Sequence, residues 1–173
     1  ISHPILAEEL SEDPVRLYLR EIGQVKLLDS DSEFRLSTMI EAERLYKNLQ
    51  RRVLQKSEKN LRAVYREMLG DLLVSWRRFE EDIVRLQTHN PDVALVLSSA
   101  QSLRHGWEID SPSYLRAFLD NGLWGHDPVW NSMAANAFNL FVCLYMLPPK
   151  LGDWLMRFLK QNPHELPTEK MLM

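Results

Sequence analysis

Apolar side chains in this chain recur at helical spacing and almost nowhere at strand spacing. From Leu61 they fall at Val64, Tyr65, Met68, Leu72, Trp76, Phe79, Ile83 and Leu86, in steps of three and four, the signature of one long amphipathic helix. Upstream, Phe34, Leu36, Met39, Ile40 and Leu45 recur at roughly helical intervals behind a cluster of aspartate and serine at 29–32. Ser30 and Glu33 stand three apart there, as in a capping box, and predict the start of a second helix. Residues 137–147 form the most apolar run; it is well short of the roughly 20 residues that cross a bilayer and reads as a buried helix. Pro148-Pro149 ends that run and opens another helix through Leu151, Leu155 and Phe158. Asn90-Pro91, Ser111-Pro112 and Asp127-Pro128 each place a capping residue before a proline and predict three further helix starts. With 6 glycines, few alternating β-branched runs and no Asn-Gly turn, no sheet is expected. The predicted fold class is all-α, a helical bundle of about seven to eight helices.

The first helix carries the most distinctive pattern. Residues 13–28 read Asp-Pro-Val-Arg-Leu-Tyr-Leu-Arg-Glu-Ile-Gly-Gln-Val-Lys-Leu-Leu. Asp13 is a good N-cap, Pro14 sits where a helix tolerates proline, and Gly23 can close the helix in a left-handed conformation. Arg16, Leu19 and Arg20 stand at i, i+3 and i+4, so two guanidinium forks flank an apolar side chain, while Val15, Tyr18 and Ile22 line the adjacent stripe. Such a face suits phosphates and an unstacked base. The competing reading pairs Arg16 and Arg20 with Glu12, Glu21 or solvent and packs Leu19 inside; the residues by themselves favour it.

Composition narrows the function classes. The chain has 173 residues, a formal net charge of −3 and a single cysteine, Cys143. That length supports one good core or two small ones without staples. One cysteine cannot form an intramolecular bridge, and a reducing, cytoplasmic setting is the default expectation. The charge excludes binding of nucleic acid by bulk positive potential, so any DNA contact must be local. The cation-rich tract from Arg44 to Arg66, with a break expected near Lys56, Ser57 and Asn60, reads first as a solvated stretch and second as an electrostatic contact with DNA or an acidic protein surface. Five histidines, at 3, 89, 105, 126 and 164, lack metal-ligand spacing, so neither a metal nor a cofactor is expected. No phosphate-cradling glycine loop or nucleophile elbow is present, and Glu8-Glu9 and Glu80-Glu81 suit solvated faces better than acid–base catalysis. An enzyme is not expected. Trp76 and Trp130 are in phase with apolar stripes and read as core; Trp107 and Trp124, beside Gly106, Gly122 and Gly125, are as readily partner-facing as packed. No secretory leader opens the chain. The absence of an initial methionine and the stop at Met173 suggest an excerpt of a longer protein.

The pattern Asp-Pro-Val-x-x-Tyr-Leu-x-Glu-Ile-Gly, a short spacer, then Leu-Leu resembles region 1.2 of the primary sigma factors of bacterial RNA polymerase, the sigma-70 family, over roughly residues 11–45. The resemblance implies a division into residues 1–45, region 1.2 with an N-terminal extension, and 46–173, a helical non-conserved insert of the kind that precedes region 2. It implies that region 1.2 packs against region 2 and contacts the non-template strand at the discriminator during promoter opening, with Arg16, Leu19 and Arg20 at the positions that touch that strand and Tyr18 at a neighbouring aromatic position. Leu19 stands where the best-known members carry methionine. The partners implied are promoter DNA and the RNA polymerase core, with the insert on the β′ subunit. A free-standing helical adaptor for another protein is the competing class.

Overall fold

The helices that begin at Ser30, Leu61, Val93 and Pro128 start where a side chain accepts from otherwise unpaired N–H groups. The computed structural model describes residues 14–24, 27–56, 60–108, 111–120, 123, 125–163 and 165–172. Of the positions singled out above, His3, Glu8, Glu9, Glu12, Asp13, Ser57, Gly122, Trp124, His164 and Met173 lie outside the described residues, as does the proposed cap at Asp13. Among the described residues there are eight α-helices and no strand: α1 Pro14–Gln24, α2 Ser30–Gln55, α3 Leu61–Leu86, α4 Val93–Ser102, followed by a 3-10 turn Leu103–His105, then α5 Tyr114–Leu119, α6 Pro128–Met146, α7 Pro149–Gln161 and α8 Glu169–Leu172. The all-α bundle is as the periodicity predicts.

Several boundaries differ from the sequence reading. The cap of α2 is Asp29 and not Ser30: its Oδ1 accepts from Ser32 N at 2.7 Å. α4 is capped by Asp92, whose Oδ1 accepts from Ala94 N at 2.8 Å and Leu95 N at 3.2 Å, so the helix begins after Asn90-Pro91 and not at it. α5 likewise starts after Ser111-Pro112, with Ser113 at the cap position. Gly23 does not close α1 in a left-handed conformation; it is helical, and α1 runs to Gln24. Asp127 caps α6 as expected, and Asn60, read only as part of the break, caps α3.

α3 and α6 pack most extensively against each other and form the centre of the bundle. α3 buries Val64, Met68, Leu72, Trp76, Phe79 and Ile83, and α6 buries Trp130, Met133, Ala137, Leu140, Phe141 and Leu144 in the same cluster. α2 and α4 flank α6, and α7 lies on α4. One carboxylate enters this apolar centre: Asp82 on α3 is buried and accepts from Asn136 Nδ2 at 3.0 Å and Ser132 Oγ at 3.4 Å on α6, with Arg85 at 3.3 Å. Those donors offset the cost of dehydrating it. Cys143, buried in α6, has its thiol pushed up to about 12 by burial, which keeps it a small apolar group.

The end of α6 shows how a proline pair recruits side chains from elsewhere. Pro148 and Pro149 have no N–H to give to the last carbonyls of the helix. Gln101 Nε2 donates to Leu144 O at 2.5 Å instead, and Arg104 Nη1 donates to Leu147 O. Gln101 also lies against Gly152 of α7, where a Cβ would sit 3.1 Å from its side chain.

The cation-rich tract is only partly the solvated stretch expected. Arg44 and Lys47 are exposed and pair with Glu41 and Glu43 on their own helix, each at 2.6 Å. Arg52 instead crosses to α3, donating to both Asp71 oxygens, and Lys56 reaches Glu67 at 2.5 Å. The break between α2 and α3 falls where predicted, and this cross-helix pairing pins the hairpin on either side of it.

Candidate nucleic-acid interface

No residue of α1 is buried. At about 100° per residue, Val15, Tyr18, Leu19 and Ile22 share an arc roughly 100° wide, with Arg16 and Arg20 along the flank beside Leu19 and Leu17 at the back. The apolar members are well exposed: Val15 59 %, Tyr18 62 %, Leu19 60 % and Ile22 49 %. Leu27 and Leu28 continue the exposed apolar surface after the helix. The helical geometry thus sets Arg16 and Arg20 beside Leu19, while Tyr18 lies at the far edge of the apolar arc, about 100° from Leu19 and about 160° from Arg20. At 60 % exposure Leu19 is not packed inside.

The start of α2 behaves differently. Phe34 packs edge-on against Phe138 and Phe141 of α6, with centroids 5.5 and 5.0 Å away. Arg35 is buried and donates to Trp107 O and Ser111 O. Asp31 Oδ1 accepts from Ser113 N and from Arg116 Nε, each at 2.7 Å. Partial burial pushes the Asp31 carboxyl up, but the Arg116 and Ser113 hydrogen bonds and the charges of Arg116 and Arg35 outweigh it and hold the carboxyl below the ordinary range. The Asp31 bond in turn raises Arg116.

Sequence reasoning missed this anchor. The buried residues of α2 are Arg35, Thr38, Ala42, Leu49 and Val53; of the predicted stripe, Phe34 and Leu45 pack against the core while Met39 and Ile40 are exposed. The available signal was that Arg35 is in register with Thr38, Ala42, Leu49 and Val53, so a cation stands in phase with small and apolar positions. Trp76 and Trp130 are core, as read. Trp107 is half-buried against the core, and its backbone carbonyl takes part in the anchor.

Between the segment at Leu27 and Leu28 and the loop at Trp107, Glu108, Ser111 and Pro112 lies an open cleft of about 550 Å³. Its mixture of apolar, cationic and acidic walls lacks the convergent polar groups of a small-molecule site. Among the described residues no set of three His, Cys, Asp or Glu side chains is placed to hold a metal ion, and no helix is long and apolar enough to cross a membrane.

Residues 13–45 match the family model for Sigma-70 factor, region 1.2. The matched segment comprises α1, the connection after it and the first four turns of α2, and all four site residues fall inside it. α2 continues past the end of the match to Gln55 without a break. No curated protein and no solved structure matches the chain.

Proposed function

We propose that the chain is part of a sigma-type initiation factor and that α1 meets the non-template strand of promoter DNA at the discriminator within a complex with RNA polymerase. The observation that carries this reading is that the region 1.2 match contains a helix whose mixed cationic and apolar face is left open. Arg16 and Arg20 contribute phosphate contacts and planar stacking, Leu19 supports an unstacked base beside them, and Tyr18 extends the apolar arc. Val15 and Ile22 then face protein, the place region 2 takes in the family, and residues 46–173 form the helical insert that meets the β′ subunit. The role is binding, not catalysis, and its setting is the cytoplasm where the polymerase works.

A net charge of −3 supplies no bulk attraction to DNA, so this chain alone binds promoter DNA weakly. Arg16→Ala and Arg20→Ala, tested in the polymerase complex, each weaken binding across promoter sequences and reduce the salt slope by about one. Unchanged affinity and slope in both variants would contradict the reading. The second reading, a helical adaptor for a different protein, draws on the same open apolar stripe; recovery of a partner in the absence of β and β′ would favour it.

A further inference from the structure

The cation-rich tract divides once its partners are followed. Arg44, Lys47, Arg51, Arg52 and Lys56 are each bonded to a side chain of α2 or α3; among the described residues of the tract, Arg62 alone has no partner. It lines a groove of about 580 Å³ where α3, α7 and α8 meet, outside the matched segment. The α3 wall is Arg62, Tyr65, Arg66 and Leu69, at i, i+3, i+4 and i+7 on one side of the helix, and Pro148, Leu151 and Leu172 complete the lining. Leu69 and Leu172 are buried, Tyr65 and Leu151 half-buried, and both arginines exposed. None of the lining residues is acidic, and Glu67, next to Arg66 in sequence, reaches Lys56 at 2.5 Å instead.

We propose that this groove seats an acidic amphipathic helix of a protein partner, its apolar side chains on Leu69, Leu151 and Leu172 and two of its carboxylates on Arg62 and Arg66. The i, i+4 spacing of the arginines matches carboxylates at the same spacing on a docked helix, and each guanidinium can hold a carboxylate through two parallel N–H bonds. Phosphates would satisfy the same forks, but the rest of the groove favours protein. Its floor is aliphatic, with one ring, Tyr65, on which a base could stack. The net charge of −3 repels an extended polyanion, whereas a short acidic helix meets the local pair of arginines. The seat needs neither α1 nor DNA.

The test is fluorescence anisotropy of a labelled synthetic helical peptide, with glutamate at i and i+4 and leucine at i+3 and i+7, titrated with the whole chain. Arg62→Glu is expected to weaken binding about tenfold, and Arg62→Glu with Arg66→Glu further still. Both arginines are exposed, so neither substitution disturbs the core. Arg77→Glu and Arg78→Glu make the same charge change at exposed positions of α3 that do not line the groove, and should leave binding within about twofold. A peptide with lysine in place of glutamate should bind the double variant more tightly than the wild-type chain. A nitroxide on the glutamate peptide should broaden the amide signals of Tyr65, Leu69 and Leu151. No binding by the wild-type chain, equal losses at Arg62 and Arg77, or broadening confined to other residues would overturn the seat. A single-stranded oligonucleotide that binds the wild-type chain more tightly than the peptide and displaces it would overturn the protein partner in favour of nucleic acid.

Discussion

α1 and α3 are both amphipathic helices with a clear apolar stripe, and the bundle treats them in opposite ways. α3 buries Met68, Leu72, Trp76 and Phe79 to 1 % exposure or less, while α1 leaves Val15, Tyr18, Leu19 and Ile22 about half exposed or more. Periodicity therefore reports that a helix has a face to cover, not what covers it. The difference lies in what flanks each stripe. α3 faces the most apolar of the described helices, whereas α1 has two arginines at the edge of its stripe. An open apolar face of this kind marks a place for a partner.

The contrast makes ranked predictions about stability. Trp76→Ala should cost about 3–5 kcal/mol, through lost burial and the cavity left between α3 and α6, and Leu19→Ala should stay within about 0.5 kcal/mol; denaturant unfolding of both variants checks the pair. A large cost for Leu19→Ala would mean that α1 belongs to the core after all. Next in size, Asp82→Ala should cost about 0.5–1.5 kcal/mol, since half-buried Asn136 and exposed Ser132 would lose their acceptor to water. A thermal melt unchanged by that substitution would show that the polar group is incidental to the pairing.

A smaller effect is expected from pH at the anchor of α2. The folded Asp31 carboxyl lies below the ordinary aspartate range, so the unfolded chain binds the proton more readily and stability rises with pH through that window. The contribution is fully present above the unfolded value and is lost as pH falls through the lower folded one. Amide exchange at Ser32–Arg35 should accelerate relative to the α3 amides as the solution is acidified below about pH 4, and Asp31→Asn should remove that differential. Smallest of all, Leu19→Met is expected to leave stability unchanged and to alter discriminator preference in the polymerase complex, because a thioether adapts to a base where a branched chain does not.

Much of the fold is legible in the residues because the strongest signals are local. The α3 stripe, the apolar run of α6 and the proline pair before α7 each specify an element with little competition, and Asp127 caps where it should. The failures share a cause. At Asn90 and Ser111 a capping residue before proline competes with another polar residue two positions on, and Asp92 wins α4 because its carboxylate reaches two backbone N–H groups. Gly23 can adopt a left-handed turn but is under no obligation to. The anchor at Asp31 and Arg35 was illegible because its partners stand more than 70 positions away, and a buried arginine contradicts the pattern that marks a core face. The shared placement of Arg16, Leu19 and Arg20 follows from helical spacing, but their reading as a DNA-contacting set comes from the family resemblance, and their exposure needed the whole bundle.

The most direct test places a photo-crosslinking side chain at Leu19 and, separately, at Leu17 on the back of α1, in a complex with RNA polymerase and promoter DNA. Crosslinks from position 19 to the non-template strand, with few from position 17, are the predicted result. Crosslinks from position 19 to protein alone, or equal DNA crosslinking from both positions, would contradict the assignment of that face to DNA.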